Sequence, residues 1–209
     1  QYTLPLSKKD ILRVGAYGNI EREFNATRDV VRETFEYNGN TGGTDTIDVI
    51  YQEKDIKGKV NYPSTVGVGI MYDRMARWSL GVDYLQEKWS QYRFFGENDP
   101  VHDSWQLRVG GQLFPKGGES YWKNVLYRAG FSIGQDYISV DNDLPRWGVS
   151  VGLALPMRRA NYSNQSSVIN TTLEFGQRGN KDNLIRESFF RVALGFSLSD
   201  IWFIKRKYD

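Results

Sequence analysis

Trp78-Ser79-Leu80-Gly81-Val82-Asp83-Tyr84 sets Trp78, Leu80, Val82 and Tyr84 against Ser79, Gly81 and Asp83. Successive side chains of a β-strand point to opposite faces, so this stretch has one apolar side and one polar side. The same two-sidedness recurs along the chain. Before it, Val66, Val68, Ile70 and Tyr72 alternate with Gly67, Gly69 and Met71, and the short connection at residues 73–76 joins the two runs into a predicted hairpin. After it, Trp105, Leu107 and Val109 oppose Gln106, Arg108 and Gly110, while Val125, Tyr127, Ala129, Phe131 and Ile133 oppose Arg128, Gly130, Ser132 and Gly134. Trp147, Val149, Val151, Leu153 and Leu155 then alternate with Gly148, Ser150, Gly152 and Ala154. Two last runs place Ile169, Thr171, Leu173 and Phe175 against Glu174, and Phe190, Val192, Leu194, Phe196 and Leu198 against Arg191.

Upstream, residues 11–20 read as a strand with Leu12, Val14, Ala16 and Ile20 facing away from Arg13, Gly15 and Tyr17. Residues 21–58 are more polar and less regular; residues 30–37 and 46–54 are expected to be two strands around the turn-like Asn38-Gly39-Asn40-Thr41-Gly42-Gly43. Aromatic spacing extends the strand that opens at Trp78 through Trp89, Tyr92 and Phe94. The intervening loops are rich in Gly, Pro, Asn, Asp and Ser and hold no helical period long enough for a parallel crossover. The expectation is an all-β, antiparallel fold of about eight to ten strands.

Composition narrows the function classes. The 209 residues fit one domain, and 27 basic against 25 acidic side chains leave a net charge of +2, with no field to hold nucleic acid. There is no cysteine, hence no disulfide, thiolate nucleophile or cysteine metal site, and His102 is the sole histidine. No run of about eighteen apolar residues exists, which excludes a transmembrane helix and leaves a β-barrel open, since barrel strands need only about ten alternating residues.

A soluble sandwich or lipocalin-like barrel would also show alternation, burying the apolar face and wetting the other. Two features favour lipid. Arg13, Asp83, Arg108, Arg128, Glu174 and Arg191 sit inside strands on the polar side, as expected of a barrel lumen in which opposite charges pair across strands. Trp78, Trp89, Trp105, Trp147 and Trp202 lie near predicted strand ends, where interfacial rings belong. The reading is an antiparallel transmembrane β-barrel, or the C-terminal portion of one, in a bacterial outer membrane. With a periplasmic C-terminus, strand parity puts residues 73–76, 115–123 and 156–166 on the periplasmic side and residues 135–145 and 177–187 outside.

Asn61-Tyr62-Pro63-Ser64-Thr65-Val66-Gly67-Val68-Gly69, followed by Arg77-Trp78-Ser79-Leu80-Gly81-Val82-Asp83-Tyr84, resembles the later barrel strands of the outer-membrane long-chain fatty-acid transporter family. Tyr127-Arg128-Ala129-Gly130-Phe131, Gly148-Val149-Ser150-Val151-Gly152-Leu153 and Leu173-Glu174-Phe175-Gly176-Gln177-Arg178-Gly179 are similar to its Bacteroidetes branch. The resemblance runs from about residue 63 onward. It implies the C-terminal part of a larger barrel whose N-terminal plug has no match here, passive uptake of hydrophobic small molecules, and no enzymatic step. The alternative is a barrel scaffold in a surface, secretion or gliding-related assembly.

Expected partners are therefore membrane lipid or lipopolysaccharide, a hydrophobic substrate, and other outer-membrane or periplasmic subunits. No cofactor or metal is expected. Ser132, His102 and Asp103 are catalytic types that no spacing brings together. Asp136, Asp141 and Asp143 lack the spacing of a calcium loop and read as a solvated segment. Lys205, Arg206 and Lys207 suit an anionic interface.

Overall fold

The computed structural model describes residues 1–139, 142–157 and 167–198. The chain runs β1 (Tyr2–Pro5), β2 (Asp10–Asn19), β3 (Arg22–Asn38), β4 (Gly43–Tyr62), β5 (Thr65–Arg74), β6 (Trp78–Glu87), β7 (Arg93–Phe94), β8 (Ser104–Leu113), β9 (Leu126–Gln135), β10 (Pro145–Pro156), β11 (Val168–Arg178) and β12 (Glu187–Ser197). Nine strands form one sheet in the order β1-β2-β5-β6-β8-β9-β10-β11-β12, every neighbour antiparallel, while β3, β4 and β7 form a second, smaller sheet. The ten strands expected from alternation all form, and β1 and β7 are short additions.

Register is what turns ten separate alternations into one surface. Val14 pairs with Ile70, Ile70 with Val82, Val82 with Val109, Val109 with Phe131, Phe131 with Val149, Val149 with Phe175 and Phe175 with Phe190. One apolar row thus crosses eight strands without a break. A slip of one residue anywhere would send a whole strand's apolar set to the other side, so this continuity pins every register. No second layer covers that face among the described residues: buried apolar side chains are few, Val125, Leu144 and Ala154, whereas Phe131, Val149, Phe175 and Phe190 are exposed. A soluble sandwich would have buried them. An exposed apolar face of this kind is what the wall of a transmembrane β-barrel turns to lipid.

The antiparallel order sorts the connections between two ends. At one end Arg77 N–H donates to the Arg74 carbonyl at 3.0 Å in the tight β5–β6 turn, with Ala76 in the left-handed region at φ 55°, and residues 114–125 join β8 to β9. At the other end lie residues 20–64, 88–103, 136–144 and 179–186, which include the two longest connections.

Two expectations need correction. The strand from Trp78 stops at Glu87; Trp89–Gln91 is a single 3-10 turn, and Arg93–Phe94 leaves the large sheet to pair with Val60 and Asn61 of β4. The aromatic spacing of Trp89, Tyr92 and Phe94 reflects packing among loops, since Trp89 packs against Tyr62, Tyr92 and Tyr137. The polar region also forms a far longer hairpin than expected, 17 residues in β3 and 20 in β4.

Candidate functional site

The polar face is where chemistry is concentrated. Arg13, Asp83, Arg108, Arg128, Glu174 and Arg191 share it, because each is offset by an odd number of residues from the apolar row. Glu174 and Arg191 are register partners on β11 and β12, and Arg191 Nη1 donates to Glu174 Oε2 at 3.1 Å. Arg13 Nη1 donates to Asp73 Oδ2 at 3.0 Å, a partner on β5 that sequence reasoning did not single out. Arg128 Nη1 reaches Asn170 Oδ1 at 3.1 Å. Asp83 and Arg108 also face each other in register, yet no ion pair joins them: Arg108 turns along its own strand to Gln106 Oε1, with Nε at 2.9 Å. The Asp83 carboxylate instead lies over Gly69, where any Cβ would collide with it.

Glycine shapes the rest of this face. Gly81, Gly110 and Gly130 are successive register partners on β6, β8 and β9, leaving a bare strip of backbone across three strands. Beside it is an open concavity of about 490 Å³ reached by Asp83, Arg108, Ser132, Ser150, Glu174 and Arg191. Gly67 and Gly176 serve a different end. Each is covered by the aromatic ring of its register partner, Tyr17 and Phe189 respectively, so a side chain at either glycine would displace a ring.

A second polar cluster, also missed, sits where β9, β10, β11 and β12 meet the loop-rich end. Asp136 is buried, with Arg178 Nε 3.0 Å and Arg146 Nη1 3.9 Å from its Oδ2; Arg178 Nη1 also lies 3.6 Å from Glu187 Oε2. The Arg178 Nε contact is one of charge rather than an aligned hydrogen bond. Asp136 is thus no part of a solvated acidic loop, and Asp143 points instead to His102, Oδ1 to Nδ1 at 3.4 Å. Asp141 is outside the described residues. No signal in the sequence marks the Asp136 cluster, because its members are brought together only by adjacent strand ends.

Trp78, Trp105 and Trp147 lie on the apolar face, packed on Tyr72 at 5.1 Å, Tyr84 at 6.5 Å and Phe175 at 5.8 Å between ring centroids. Trp78 marks the tight-turn end, Trp105 and Trp147 the loop-rich end. Trp89 stands beyond the strands, stacked on Tyr137 at 4.4 Å. Trp202 falls outside the described residues, as do Lys205, Arg206 and Lys207.

The loop beneath Trp89 carries a pH-sensitive tie. Asp103 accepts from Ser90 N–H at 3.0 Å and Lys88 Nζ at 3.0 Å. Partial burial pushes its carboxyl up, but the hydrogen bonds from Ser90 and Lys88 outweigh that and hold it below the ordinary aspartate range. A lowered folded value means the tie contributes above the unfolded value, about 3.9, and is lost as pH falls through the folded one. Hydrogen-exchange protection factors over residues 88–103, which remove the intrinsic pH dependence of the exchange rate, should therefore fall below about pH 4, and Asp103→Asn should lower them at neutral pH. Equal protection factors at both pH values would discount the tie.

Comparison with known proteins adds three findings. A family model described as BamG matches residues 1–209. A solved structure, the "CymD monoaromatic hydrocarbon channel", superposes with a TM-score of 0.53 at 15% sequence identity, over 95% of this chain and 49% of the channel. The chain therefore spans about half of that channel's length, and at this identity the likeness is one of fold: an antiparallel β-barrel wall. No curated protein matches the chain. The likeness to outer-membrane barrels holds at this broader level, and the fatty-acid transporters are not the family matched.

Proposed function

The chain belongs to the BamG family, and we propose from that membership that it forms one wall of an outer-membrane β-barrel and works as a non-catalytic partner of the BAM complex. Residues 1–209 act as a single domain, the C-terminal portion of a larger barrel. Support for this comes from the two outer strands, β1 and β12, each paired on one side only among the described residues. An unpaired edge is costly in hydrocarbon, so further strands close the wall. The end that carries residues 20–64 and 88–103 faces outward and the tight β5–β6 turn faces the periplasm.

The observation that carries the partner role is the inner face itself. Arg13–Asp73, Arg191–Glu174 and Arg128–Asn170 lace its strands together. In this reading Arg13, Asp83, Arg108, Arg128, Glu174 and Arg191 are lumen-facing and brace the wall. Trp78, Trp105 and Trp147 ride at the lipid interface.

Passive uptake of hydrophobic small molecules is the second reading, and the bare Gly81-Gly110-Gly130 strip with its open concavity favours it. Purification of the tagged full chain from membranes in mild detergent separates the two. Co-elution with BAM subunits in one native mass, together with liposomes no more permeable to a fatty acid or an aromatic hydrocarbon than protein-free ones, is the expected result. Recovery free of BAM subunits, with substrate flux, would reverse the order of the readings.

A further inference from the structure

The β3–β4 hairpin does no work for the large sheet, yet it is built to keep its shape. Its base is clamped. Val60 and Asn61 pair with Phe94 and Arg93 of β7, the Phe95 ring lies on Gly58, and the Arg28 guanidinium sits 5.9 Å from the Phe94 ring centre and 4.6 Å from that of Phe95. Its tip is closed by Asn38, whose Nδ2 donates to Asp45 Oδ2 at 2.7 Å and whose carbonyl accepts Gly42 N–H at 3.0 Å. Between base and tip, β3 has β4 as its only neighbour in the sheet. Seventeen residues of β3 at roughly 3.3 Å each carry the hairpin on the order of 50 Å from its base.

The outer half differs between its two faces. Val31, Glu33, Phe35 and Tyr37 share one, opposite Gln52, Val49, Thr46 and Thr44, so four apolar side chains lie among polar ones; Arg32, Thr34 and Glu36 share the other, opposite Tyr51, Asp48 and Asp45. Ile47 and Ile50 are the extra residues at two register shifts. Phe35 is 63% exposed, Tyr37 70% and Ile50 67%. Exposed apolar side chains grouped in this way, Val31 and Val49 with Phe35 and Tyr37, mark an interaction site.

Charge selects what covers it. Residues 31–54 hold Glu33, Glu36, Asp45, Asp48 and Glu53 against Arg32 and Lys54, and both cations sit on the base side of the segment. Glu36 lies directly opposite Asp45, a like-charge cross-strand pair that weakens the hairpin until cations lie against it. Anionic lipid or lipopolysaccharide is repelled by such a surface. A protein that sets an apolar centre within a lysine- and arginine-rich rim matches both features.

We infer that the outer half of the β3–β4 hairpin is a docking arm for a protein surface with an apolar centre and a basic rim. This rests on the BAM-partner reading for where that surface is found. The apolar side chains anchor, and the carboxylates guide approach and set salt sensitivity.

The test uses the full chain in detergent and, as probe, BAM complex purified from cells lacking this chain. Binding is measured at low and high salt for the native chain, for Phe35→Ser/Tyr37→Ser/Val49→Ser and for Glu36→Lys/Asp45→Lys/Asp48→Lys. Heat-modifiable gel mobility confirms that each barrel stays folded. The native chain should bind with an affinity that falls as salt rises. The apolar variant should lose at least tenfold, and the charge variant should lose both affinity and salt sensitivity. Native binding with both variants unchanged would overturn the docking arm and leave the BAM-partner reading standing; no native binding at all would overturn both. Self-association of the native chain abolished by the variants, or hairpin-dependent binding to lipopolysaccharide vesicles, would overturn the protein partner in favour of a second copy or of lipid.

Discussion

Val149→Arg is expected to abolish stable insertion of the barrel wall, and Ser150→Arg, one residue away, to be tolerated. Val149 is 44% exposed on the outer face, between Phe131 and Phe175 in the apolar row. An arginine on the lipid side at mid-membrane depth costs about 2–4 kcal/mol, comparable to a large share of the stability of a small domain. Ser150 lies on the inner face opposite Gly130 and Glu174, where a guanidinium meets a carboxylate and space above bare backbone. Urea unfolding in lipid vesicles reads both. Destabilisation alone would not separate lipid from a protein core, since a buried arginine is costly in either, so the environment must be measured as well. The chain has no native cysteine, and single nitroxide labels at 149 and 150 should give oxygen-dominated relaxation at the first and water-soluble relaxant access at the second. The reverse pattern would sink the membrane assignment.

The fold was legible wherever a strand is flanked by strands of unbroken period. From Trp78 to Tyr84 in β6, and along the whole of β10, every second residue is apolar. The hairpin was less legible for a local reason. Register shifts near Asp29, at Ile50 and at Ile47 insert residues into β4 or skip them in β3, so the period resets several times within one strand pair. The eye then sees two short strands where one long ribbon exists. Trp89, Tyr92 and Phe94 misled in the opposite sense. Their spacing continues a strand, but Lys88 and Ser90 are tied to Asp103, and the backbone turns to follow them.

Strand parity groups the strand-borne charges on one side of the sheet and does not pair them. Parity alone places Arg13, Asp83, Arg108, Arg128, Glu174 and Arg191 on one side. Which of them meet depends on register and on side-chain reach, neither of which is written in a single strand. Glu174 and Arg191 meet because β11 and β12 bring them opposite one another, and Arg13 finds Asp73 two positions from its register partner Met71. Asp83 and Arg108 face each other and still choose other neighbours.

Asp136→Ala is expected to be the most destabilising change to the charged groups, and the comparison with Glu174→Ala shows why. Arg191 is 68% exposed in its pair with Glu174, so that bridge sits in high dielectric and is worth on the order of 1 kcal/mol or less. The Asp136 side chain is 9% exposed, faces both Arg178 and Arg146, and its backbone N–H donates to the Leu144 carbonyl at 2.9 Å. Removing its carboxylate leaves Arg178, 26% exposed, with only Glu187 at 3.6 Å among the described residues. Breaking a fully buried pair from one side costs about 3–5 kcal/mol because the remaining charge is stranded, and the partial exposure of Arg178 and Arg146 sets the expected loss at or below the lower end of that range. The loss should appear as a lower urea midpoint and as faster hydrogen exchange in residues 135–139 and 178–187 together, since Asp136 joins those two loops. High salt should change it little, as buried pairs are poorly screened, whereas the Glu174→Ala effect should shrink with salt. The paired replacement Asp136→Leu/Arg178→Leu should recover most of the loss, because it removes both charges at once. A cost for Asp136→Ala no greater than that for Glu174→Ala would mean the cluster is decoration at a strand end rather than the latch that closes the loop-rich end of the wall.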